Sequence, residues 1–434
     1  MKKNKLYNSI ALFAGILILS SGISCNPQSG KSVSSAGKSG EITPAATIGY
    51  LASEELEGRA TGSEGERKAA AFLIKHFENL GLSPKGTEGY LQKYTYVPHG
   101  AAQIHHKGDS TVMGMALVKE VSTANVIAFK DNKAAVTVVI GAHYDHLGYG
   151  DENSLWTGEK AIHNGADDNA SGVAAMLELA EYLSKSPKGT TNNNYLFIAF
   201  SGEEKGLYGS NHFTKNPTIP IAQINYMLNM DMVGRLNAEK SLAINGVGTS
   251  SSWLPALNEI KTGGIKQVTS ESGVGPSDHT SFYLMDLPVL HFFTGQHDDY
   301  HKPTDDADKI NYSGLNDIVD LMKELIVKLD GKGKLDFVKT KDSTPAAADF
   351  KVTLGVIPDY LYSGKGLRID GAKEGRPGAK AGLIKGDIII ELGDMPIEDI
   401  YGYMESLSKF EKGQKVNCVV MRGEEKVSLP VVFE

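Results

Sequence analysis

The chain has 434 residues, of which 41% are hydrophobic and 22% charged, and this ordinary globular composition excludes a disordered, collagen-like or multi-span membrane protein. At roughly 150 residues per domain, this length predicts two or three domains. Acidic residues outnumber basic ones by 52 to 44, and the net charge of -8 gives no reason to expect a nucleic-acid partner. The two cysteines, Cys25 and Cys418, exclude a disulfide-stapled scaffold and a cysteine-rich zinc site. Any metal would therefore be bound by histidines and carboxylates.

The first residues have the organisation of an export signal. A lysine-rich start precedes an apolar run from Ile10 to Leu19, which is too short for the ~20 residues that a membrane span needs. We therefore predict a signal peptide over residues 1–24 and a flexible Ser/Gly/Lys tether over residues 25–42. A cysteine at this junction resembles the lipidation site of bacterial lipoproteins. Cys25 is thus expected to anchor the protein to a membrane of the cell envelope, facing the periplasm or the cell exterior; the alternative is ordinary cleavage and a soluble secreted protein.

Residues 43–329 alternate helical and extended segments, which is typical of an α/β layer fold. Apolar residues at helical spacing predict helices over residues 62–82 and 172–185. Continuous apolar runs predict strands that are buried on both faces, as in a mostly parallel sheet. These runs are AVTVVIGA (135–142), YLFIAFSG (195–202), INYMLNM (224–230) and LPVLHFF (287–293). The expected fold is a mixed, mostly parallel sheet flanked by helices.

Polar side chains follow three of these predicted strands. His143 and Asp145 come after the first strand, Glu203 and Glu204 after the second, and Asp231 after the third. In open α/β sheets, ligands bind in the crevice at the carboxyl ends of the strands, so we expect these side chains to converge.

Two loops add further candidates, Asp167 and Asp168 in GADDNASG and His301 in DYHKPTDD. So many carboxylates in one crevice would repel one another unless a cation lay among them. Imidazole and carboxylate ligands without thiolate suit catalytic zinc, with cobalt or manganese as substitutes. The number of candidate ligands suits two metal ions that share one bridging carboxylate and a water molecule.

Seven segments between Ala45 and Leu329 resemble the secreted zinc aminopeptidase family, which also includes glutamate carboxypeptidase II and the glutaminyl cyclases. The segments are LEGRATGSEGERKAAAFL, GAHYDHLG, NGADDNASGVA, FSGEEKGLYGS, LNMDMVGR, GPSDHTSFY and HFFTGQHDDYHKPTDDADKIN. They occur in the order that the family has them, which makes the resemblance specific.

The resemblance implies a role for each matching residue. It implies five ligands for two zinc ions: His143 with Asp231, Glu204 with His301, and Asp168 as the bridge. Glu203 would be the general base, and Asp145 would be the carboxylate that orients the His143 ring. Tyr300 matches a tyrosine that donates a hydrogen bond to the developing oxyanion in some members. Asp278 and His279 match a recurrent motif and are interpreted as pocket architecture without a metal.

The function that follows is removal of N-terminal residues from peptides or proteins by a metal-bridging hydroxide, with Glu203 as the base. One alternative is a glutaminyl cyclase-like acyltransferase with a single zinc ion. Another is a non-enzymatic peptide-binding protein that carries a relic peptidase domain. The sequence leaves open the side-chain preference and the choice between aminopeptidase, dipeptidase and carboxypeptidase action.

The C-terminal part of the chain differs from residues 43–329 in its pattern of predicted elements. Residues 330–349 lose periodicity and are predicted to be a linker, whereas residues 350–434 carry short strands separated by glycine turns. The stretches LGV, GKGLRID and RPGAKAGLIKGDIIIELGDMPI resemble a bacterial PDZ domain, a fold that binds the carboxyl end of an extended peptide. Lys365 and Gly366 occupy the expected carboxylate loop. The alternative is a domain that only covers the catalytic one, and Cys418 is interpreted as a buried hydrophobe.

Overall fold

A computed structural model describes residues 43–97, 120–150, 153–340, 352–359, 362, 364–372 and 375–434. The predicted signal peptide, the tether and Cys25 lie outside the described residues. Within these ranges, none of the helices combines the length and the apolar character needed to cross a bilayer.

The first domain is built around one sheet with helices on its faces. Its helices, within the described ranges, are α1 (Pro44–Leu51), α2 (Glu64–Asn79), α3 (Gly172–Ser184), α4 (Tyr208–Lys215), α5 (Trp253–Asn258), α6 (His279–Tyr283) and α7 (Tyr312–Leu329). Its strands are β1 (Ser83–Pro84), β2 (Leu91–Tyr96), β3 (Val121–Lys130), β4 (Thr137–His143), β5 (Asn194–Phe200), β6 (Ile224–Met230), β7 (Ser241–Asn245), β8 (Lys266–Ser270) and β9 (Val289–Phe293). The strand order is β1-β3-β5-β4-β6-β9-β7-β8, with β2 paired to β3. This architecture confirms the predicted mixed α/β layer fold.

The centre of the sheet is parallel. Strand β4 pairs in parallel with both β5 and β6, and β6 pairs in parallel with β9. Antiparallel pairs, β3 with β5 and β7 with β9, lie on either side of this group. Every residue of β4, β5, β6 and β9 is buried, as the continuous apolar runs predict. Because these four strands are parallel, their carboxyl ends meet at one edge of the sheet.

Helices α2 and α3 cover part of this sheet. Helix α2 begins after Ser63, whose side chain accepts a hydrogen bond from the Glu66 backbone N–H, and it buries Leu73 and Phe77. Helix α3 buries Leu177 in the same apolar core as Val138 of β4. Full burial of such a side chain contributes about 1.5–3 kcal/mol. The core therefore fixes the sheet and, with it, the positions of the loops at the strand ends.

Residues 330–340 pack on the first domain, so the predicted linker over 330–349 begins too early. The buried Asp330 carboxylate accepts backbone hydrogen bonds from Thr191 (3.1 Å) and Asn192 (3.0 Å). The backbone N–H of buried Leu335 donates to Asn225 Oδ1 at 2.7 Å. The charge and glycine content of this segment is typical of a linker. These tertiary hydrogen bonds nevertheless hold residues 330–340 against the first domain. Residues 341–349 lie outside the described residues.

The second domain is a small antiparallel β structure with its own core. Its strands are β10 (Val356–Pro358), β11 (Leu367–Ala372), β12 (Ile388–Leu392), β13 (Met395–Pro396), β14 (Lys415–Arg422) and β15 (Glu425–Val432). Helices α8 (Pro377–Ala381) and α9 (Ile400–Leu407) accompany them. The strand order is β10-β11-β12-β14-β15, with β13 beside β12. Ile389, Val431 and the free Cys418 are buried together, which confirms the prediction for Cys418.

Candidate metal centre

Two histidines point the same ring atom at a group of carboxylates. His143 ends β4, and its Nε2 lies 3.3 Å from Asp168 Oδ1 and 3.4 Å from Asp231 Oδ1. His301, in the loop after β9, has its Nε2 at 3.1 Å from Asp168 Oδ2 and 3.3 Å from Glu204 Oε2. Asp168 thus lies between the two histidines and contributes one oxygen to each side.

The tautomer of both rings follows from their backbone contacts. His143 Nδ1 lies 3.2 Å from the carbonyl oxygen of Asp145, and His301 Nδ1 lies 2.8 Å from that of Asn153. A carbonyl oxygen can only accept, so each Nδ1 carries the hydrogen. Each Nε2 is therefore the ring nitrogen that has a lone pair when the ring is neutral, which is the arrangement of metal-binding histidines.

The donor set fits a bound cation. Nitrogen lone pairs and carboxylate oxygens face one another at about 3 Å, and none of these atoms brings a hydrogen unless a ring is protonated. Among the described residues, Asp168, Glu204 and Asp231 form no ion pair with a lysine or arginine. Two groups of potential ligand atoms, each within 4.8 Å, share Asp168: His143 with Asp168 and Asp231, and His146 with Asp168 and Glu204. His301 contacts two carboxylates of the second group.

The electrostatics of the pocket also favour added positive charge. Burial by itself would lower the pKa of the His301 ring, but the Glu204 and Asp168 carboxylates outweigh burial and raise that pKa well above its usual range. Burial would raise the pKa of Glu204, yet His301 and the hydrogen bond from His146 lower it to about 2. Without metal, the site therefore draws protons onto its histidines to balance the buried carboxylates.

Glu203 lies beside these ligands and lines the same cavity. Burial raises the pKa of its carboxyl group well above the usual range; the His143 ring opposes this shift, while Asp231 and Glu204 reinforce it. The Glu203 backbone N–H donates to Asp145 Oδ1 at 3.2 Å. Asp145 Oδ2 accepts from the Thr61 hydroxyl at 2.7 Å, and its Oδ1 lies 3.8 Å from His143 Nδ1. The His143 ring N–H therefore donates to the main-chain carbonyl oxygen of Asp145, at 3.2 Å, while the Asp145 carboxylate accepts from the Glu203 backbone.

The sequence interpretation missed His146, which is fully buried at the same centre. Its Nδ1 lies 2.7 Å from Glu204 Oε1 and 3.9 Å from Asp168 Oδ2. Its Nε2 has no hydrogen-bond partner within the described structure. The sequence feature that could have pointed to His146 is its position three residues after His143 in HYDH. Spacing alone, however, does not show which carboxylate a histidine in a loop contacts.

A buried arginine holds the loops that carry the ligands. The Arg59 guanidinium donates to the carbonyl oxygens of Tyr144 (2.9 Å), Asn164 (2.7 Å), Gly165 (3.1 Å) and Leu51. Burial lowers the pKa of Arg59 to about 10, against the opposing effect of Asp145 and other nearby carboxylates. Nothing in the local sequence around Arg59 shows that backbone carbonyl groups from these distant segments contact one side chain.

The backbone of the Asp168 loop has its own support. Asp305 Oδ2 accepts the backbone N–H groups of Asp167 (2.9 Å) and Asp168 (3.0 Å). The Asp167 carboxylate turns away from the ligand cluster and accepts from Gly234 N at 2.6 Å and from His297 Nε2 at 3.1 Å. Of the two adjacent aspartates, Asp168 therefore faces the candidate metal centre and Asp167 ties the loop to its neighbours.

The remaining predicted site residues lie around the cavity. Tyr300 lines it and stacks on the His301 ring, with ring centroids 3.8 Å apart. Asp278 and His279 are fully buried and belong to neither ligand group. The His279 ring stacks at 4.5 Å on His291, which lines the cavity, as expected for pocket architecture. The cavity has a volume of about 90 Å³ and opens into a cleft of about 600 Å³.

Part of the first domain is similar to a known peptidase family. Residues 125–326 match the model of Peptidase family M28. This match agrees with the prediction of a metallopeptidase type of enzyme. The match covers β3 to α7 and includes the predicted ligands and Glu203.

The chain is also similar in sequence to individual curated proteins. The chain is 27% identical to aminopeptidase YwaD of Bacillus subtilis over 243 residues, which is 52% of this chain and 49% of the relative. The chain thus spans about half the length of the curated relatives that it matches.

Two solved structures share the fold. A zinc aminopeptidase from Bacillus subtilis matches with a TM-score of 0.51 and 18% identity, over 69% of this chain and 97% of that one. The glutaminyl cyclase of Porphyromonas gingivalis matches with a TM-score of 0.51 and 16% identity, over 66% of this chain and 97% of that one. At these identities, the two structures support the α/β architecture of the first domain.

Proposed function

We propose that the protein is an exported metallo-aminopeptidase that hydrolyses N-terminal residues from peptides with two zinc ions and a glutamate base. The observation that carries this proposal is that Asp168 lies between His143 and His301, with Asp231 beside the first histidine and Glu204 beside the second. A single zinc ion with an open position needs three protein ligands, whereas this centre offers three candidate ligands on each side of the shared Asp168, with Glu203 lining the same cavity. That pairing favours hydrolysis over cyclisation at one zinc ion.

The residues divide between the two sides of the centre. His143 and Asp231 would hold one ion, Glu204 and His301 the other, and Asp168 would bridge them, with His146 as a hydrogen-bond donor to Glu204. When bound there, zinc supplies a water molecule of lowered pKa and polarises the scissile carbonyl.

Glu203 is the chain's own proton carrier. It lines the cavity, and the Asp145 hydrogen bond fixes its backbone. Its carboxylate takes the proton of the attacking water and later delivers it to the leaving amine. Glu204 is unsuited to this role because its two oxygens face His146 and His301. Tyr300 lines both the cavity and the cleft, which supports a contact with the substrate carbonyl.

The test is a screen of aminoacyl chromogenic amides, with and without a chelator, alongside the zinc content of the purified protein. The proposal expects hydrolysis that the chelator abolishes and that zinc restores, with two zinc ions per chain. One zinc ion per chain, no amide hydrolysis and cyclisation of N-terminal glutaminyl peptides would instead establish the cyclase alternative. The same screen, run on N- and C-terminally blocked peptides, separates aminopeptidase from carboxypeptidase action.

Export and membrane anchoring are proposed from the N-terminal sequence. A signal peptide that ends before Cys25 supports lipidation of that residue and a position in the cell envelope. In cells, the intact protein should sediment with membranes, whereas a Cys25→Ser variant should appear in the soluble exported fraction. Equal membrane association of both would contradict the lipid anchor.

For the second domain we propose a PDZ-like role in binding the carboxyl end of an extended peptide. Gly366 and Leu367, at the start of β11, and Met404 of α9 line a pocket of about 230 Å³, and Lys365 lies in the adjoining loop. A groove between a strand and a helix suits an added peptide strand. Titration of the full chain with a peptide and with its C-terminally amidated form tests this role, since equal affinity would contradict carboxylate recognition.

A further inference from the structure

The second domain forms one wall of the catalytic cleft. The cleft of about 600 Å³ is lined on one side by Glu203, Tyr300 and His301 and on the other by Gly355, Val356, Pro358 and Arg376. The smaller cavity at the candidate metal centre shares Glu203, Tyr300 and His301 with this cleft. A peptide whose amino end reaches the cavity therefore extends along a wall that the second domain supplies.

Arg376 is a charged residue that the second domain contributes to this cleft. Every other arginine of the sequence has a hydrogen-bond or ion-pair partner: Arg59, Arg67, Arg235, Arg368 and Arg422. Within the described structure, the exposed Arg376 side chain has no such partner at hydrogen-bond or ion-pair distance. The nearby Glu434 pairs instead with Lys380, which chiefly lowers the pKa of that carboxyl group; Arg376 makes a smaller contribution.

The base of the Arg376 side chain lies against Gly355. Its φ of +69° lies in the left-handed region, and a Cβ atom built on it would be 2.5 Å from the Cβ of Arg376. The stem of Arg376 therefore runs directly over the Gly355 backbone, and both residues line the cleft. An arginine held at its base presents a planar pair of donors, which match the two oxygens of a carboxylate.

We propose that Arg376 binds the terminal carboxylate of a short peptide whose amino end lies at Glu203, so that the protein prefers free peptides of a few residues. A cleft of several hundred Å³ encloses a ligand of about that size. The wall formed by Gly355, Val356 and Pro358 also limits the room for a folded protein behind the scissile bond. This inference rests on the proposed aminopeptidase function.

The test compares tripeptide free acids with the same tripeptides as C-terminal amides, by kcat/KM, in the wild type and in an Arg376→Gln variant. The wild type should prefer the acids by about tenfold, which corresponds to one good charge-assisted hydrogen bond. In the Arg376→Gln variant, kcat/KM for the acids divided by kcat/KM for the amides should be near one. Hydrolysis of an aminoacyl nitroanilide, which has no carboxylate, should be equal in both proteins. An Arg376→Lys variant should keep part of the preference because it keeps the charge.

A Lys426→Gln variant is the matched control, since it removes an exposed positive charge from the same domain. It should retain the acid preference. A Lys365→Gln variant tests the competing carboxylate loop beside β11. A preference that disappears in the Lys365 variant but survives in the Arg376 variant would overturn the inference and place carboxylate recognition in the groove beside β11. An acid-to-amide ratio that is the same in the wild type and Arg376→Gln would also overturn it. Absence of nitroanilide hydrolysis by the wild type would instead remove the proposed function itself.

Discussion

The backbone N–H of Glu203 donates a hydrogen bond to Asp145 Oδ1 at 3.2 Å, which joins the loop after β5 to the loop after β4. The same Asp145 residue accepts from the His143 ring through its carbonyl oxygen, at 3.2 Å. One aspartate thus positions both a candidate metal ligand and the candidate base. The chemistry of the centre depends on this link because an error of about 1 Å in a reacting group can cost a hundredfold in rate.

Replacement of the base should separate catalysis from metal binding. Glu203→Gln keeps the shape of the side chain and the backbone hydrogen bond to Asp145, but it removes the proton acceptor. We expect kcat to fall by about 10²- to 10⁴-fold. The zinc content, measured by mass spectrometry of the purified protein, should stay the same. A variant with near wild-type kcat would contradict the assignment of Glu203.

Replacement of the bridge should remove metal instead. Asp168 faces both His143 and His301, so Asp168→Asn weakens both ligand groups at once. We expect the zinc content to fall and the rise in melting temperature on adding zinc to disappear. Asp278→Asn is the control, because Asp278 is equally buried but belongs to neither group. Unchanged zinc content in the Asp168 variant would refute the bridging role.

Arg59 should be a large contributor to stability. Its guanidinium satisfies buried carbonyl oxygens in three separate segments, at Leu51, Tyr144 and Asn164–Gly165. Arg59→Met removes the donor from the carbonyl oxygens of Leu51, Tyr144 and Asn164, at about 1–3 kcal/mol each, so urea unfolding should show a loss of at least about 3 kcal/mol. Arg67→Met, at an exposed pair with Glu64, should change stability by less than about 0.5 kcal/mol. Similar losses in both variants would contradict the role of Arg59.

Glu66 should make stability depend on pH. Burial raises the pKa of this carboxyl group to about 8, with Asp145 adding to the shift and hydrogen bonds from Ser201, Gly62 and Thr123 opposing it. The folded state therefore holds the proton more tightly than the unfolded state, whose carboxyl has the ordinary value of 4.5. The stabilising contribution is complete below pH 4.5 and is lost as the pH rises through about 8.

The check is urea unfolding of the wild type and of Glu66→Gln at a series of pH values from 5 to 9. The wild type should lose stability relative to the variant as the pH rises, by on the order of a few kcal/mol. The glutamine cannot ionise, so it serves as the reference for every other titrating group. Parallel pH profiles would show that Glu66 has no raised pKa.

Cys418 should be unreactive in the folded protein. It is fully buried in the core of the second domain, and burial raises the pKa of its thiol to about 12. In a Cys25→Ser background, a thiol reagent at pH 8 should label the native protein slowly and the urea-unfolded protein completely. Rapid labelling of the native protein would contradict the burial of this side chain.

Several features of the fold could be predicted from the sequence. The apolar runs that became β4, β5, β6 and β9 are continuous because parallel central strands are covered on both faces. The candidate ligands could be found for a related reason, since polar residues directly after such strands collect at one edge of the sheet. Strands β7 and β8 were not predicted, because each has only five residues and β8 is partly exposed.

The supporting residues of the site could not be predicted in the same way. His146 meets Glu204 from 58 positions away, and Asp305 meets the Asp168 backbone across 137 positions. Each contact depends on which loops the sheet order brings together, and no local pattern encodes that order. The start of the linker was wrong for a similar reason, since Asp330 is held by hydrogen bonds from residues far away in the sequence.

The sequence by itself determined the composition class, the buried strands and the chemical types of the ligands, because these follow from local periodicity and from residue identity. Only the tertiary structure decided that Asp168 faces the ligand cluster while Asp167 turns away, and that Arg376 of the second domain lines the cleft beside Glu203. Those outcomes depend on how two loops and two domains pack. Packing is set by contacts between residues that are distant in the chain, and such contacts leave no mark in any short stretch of sequence.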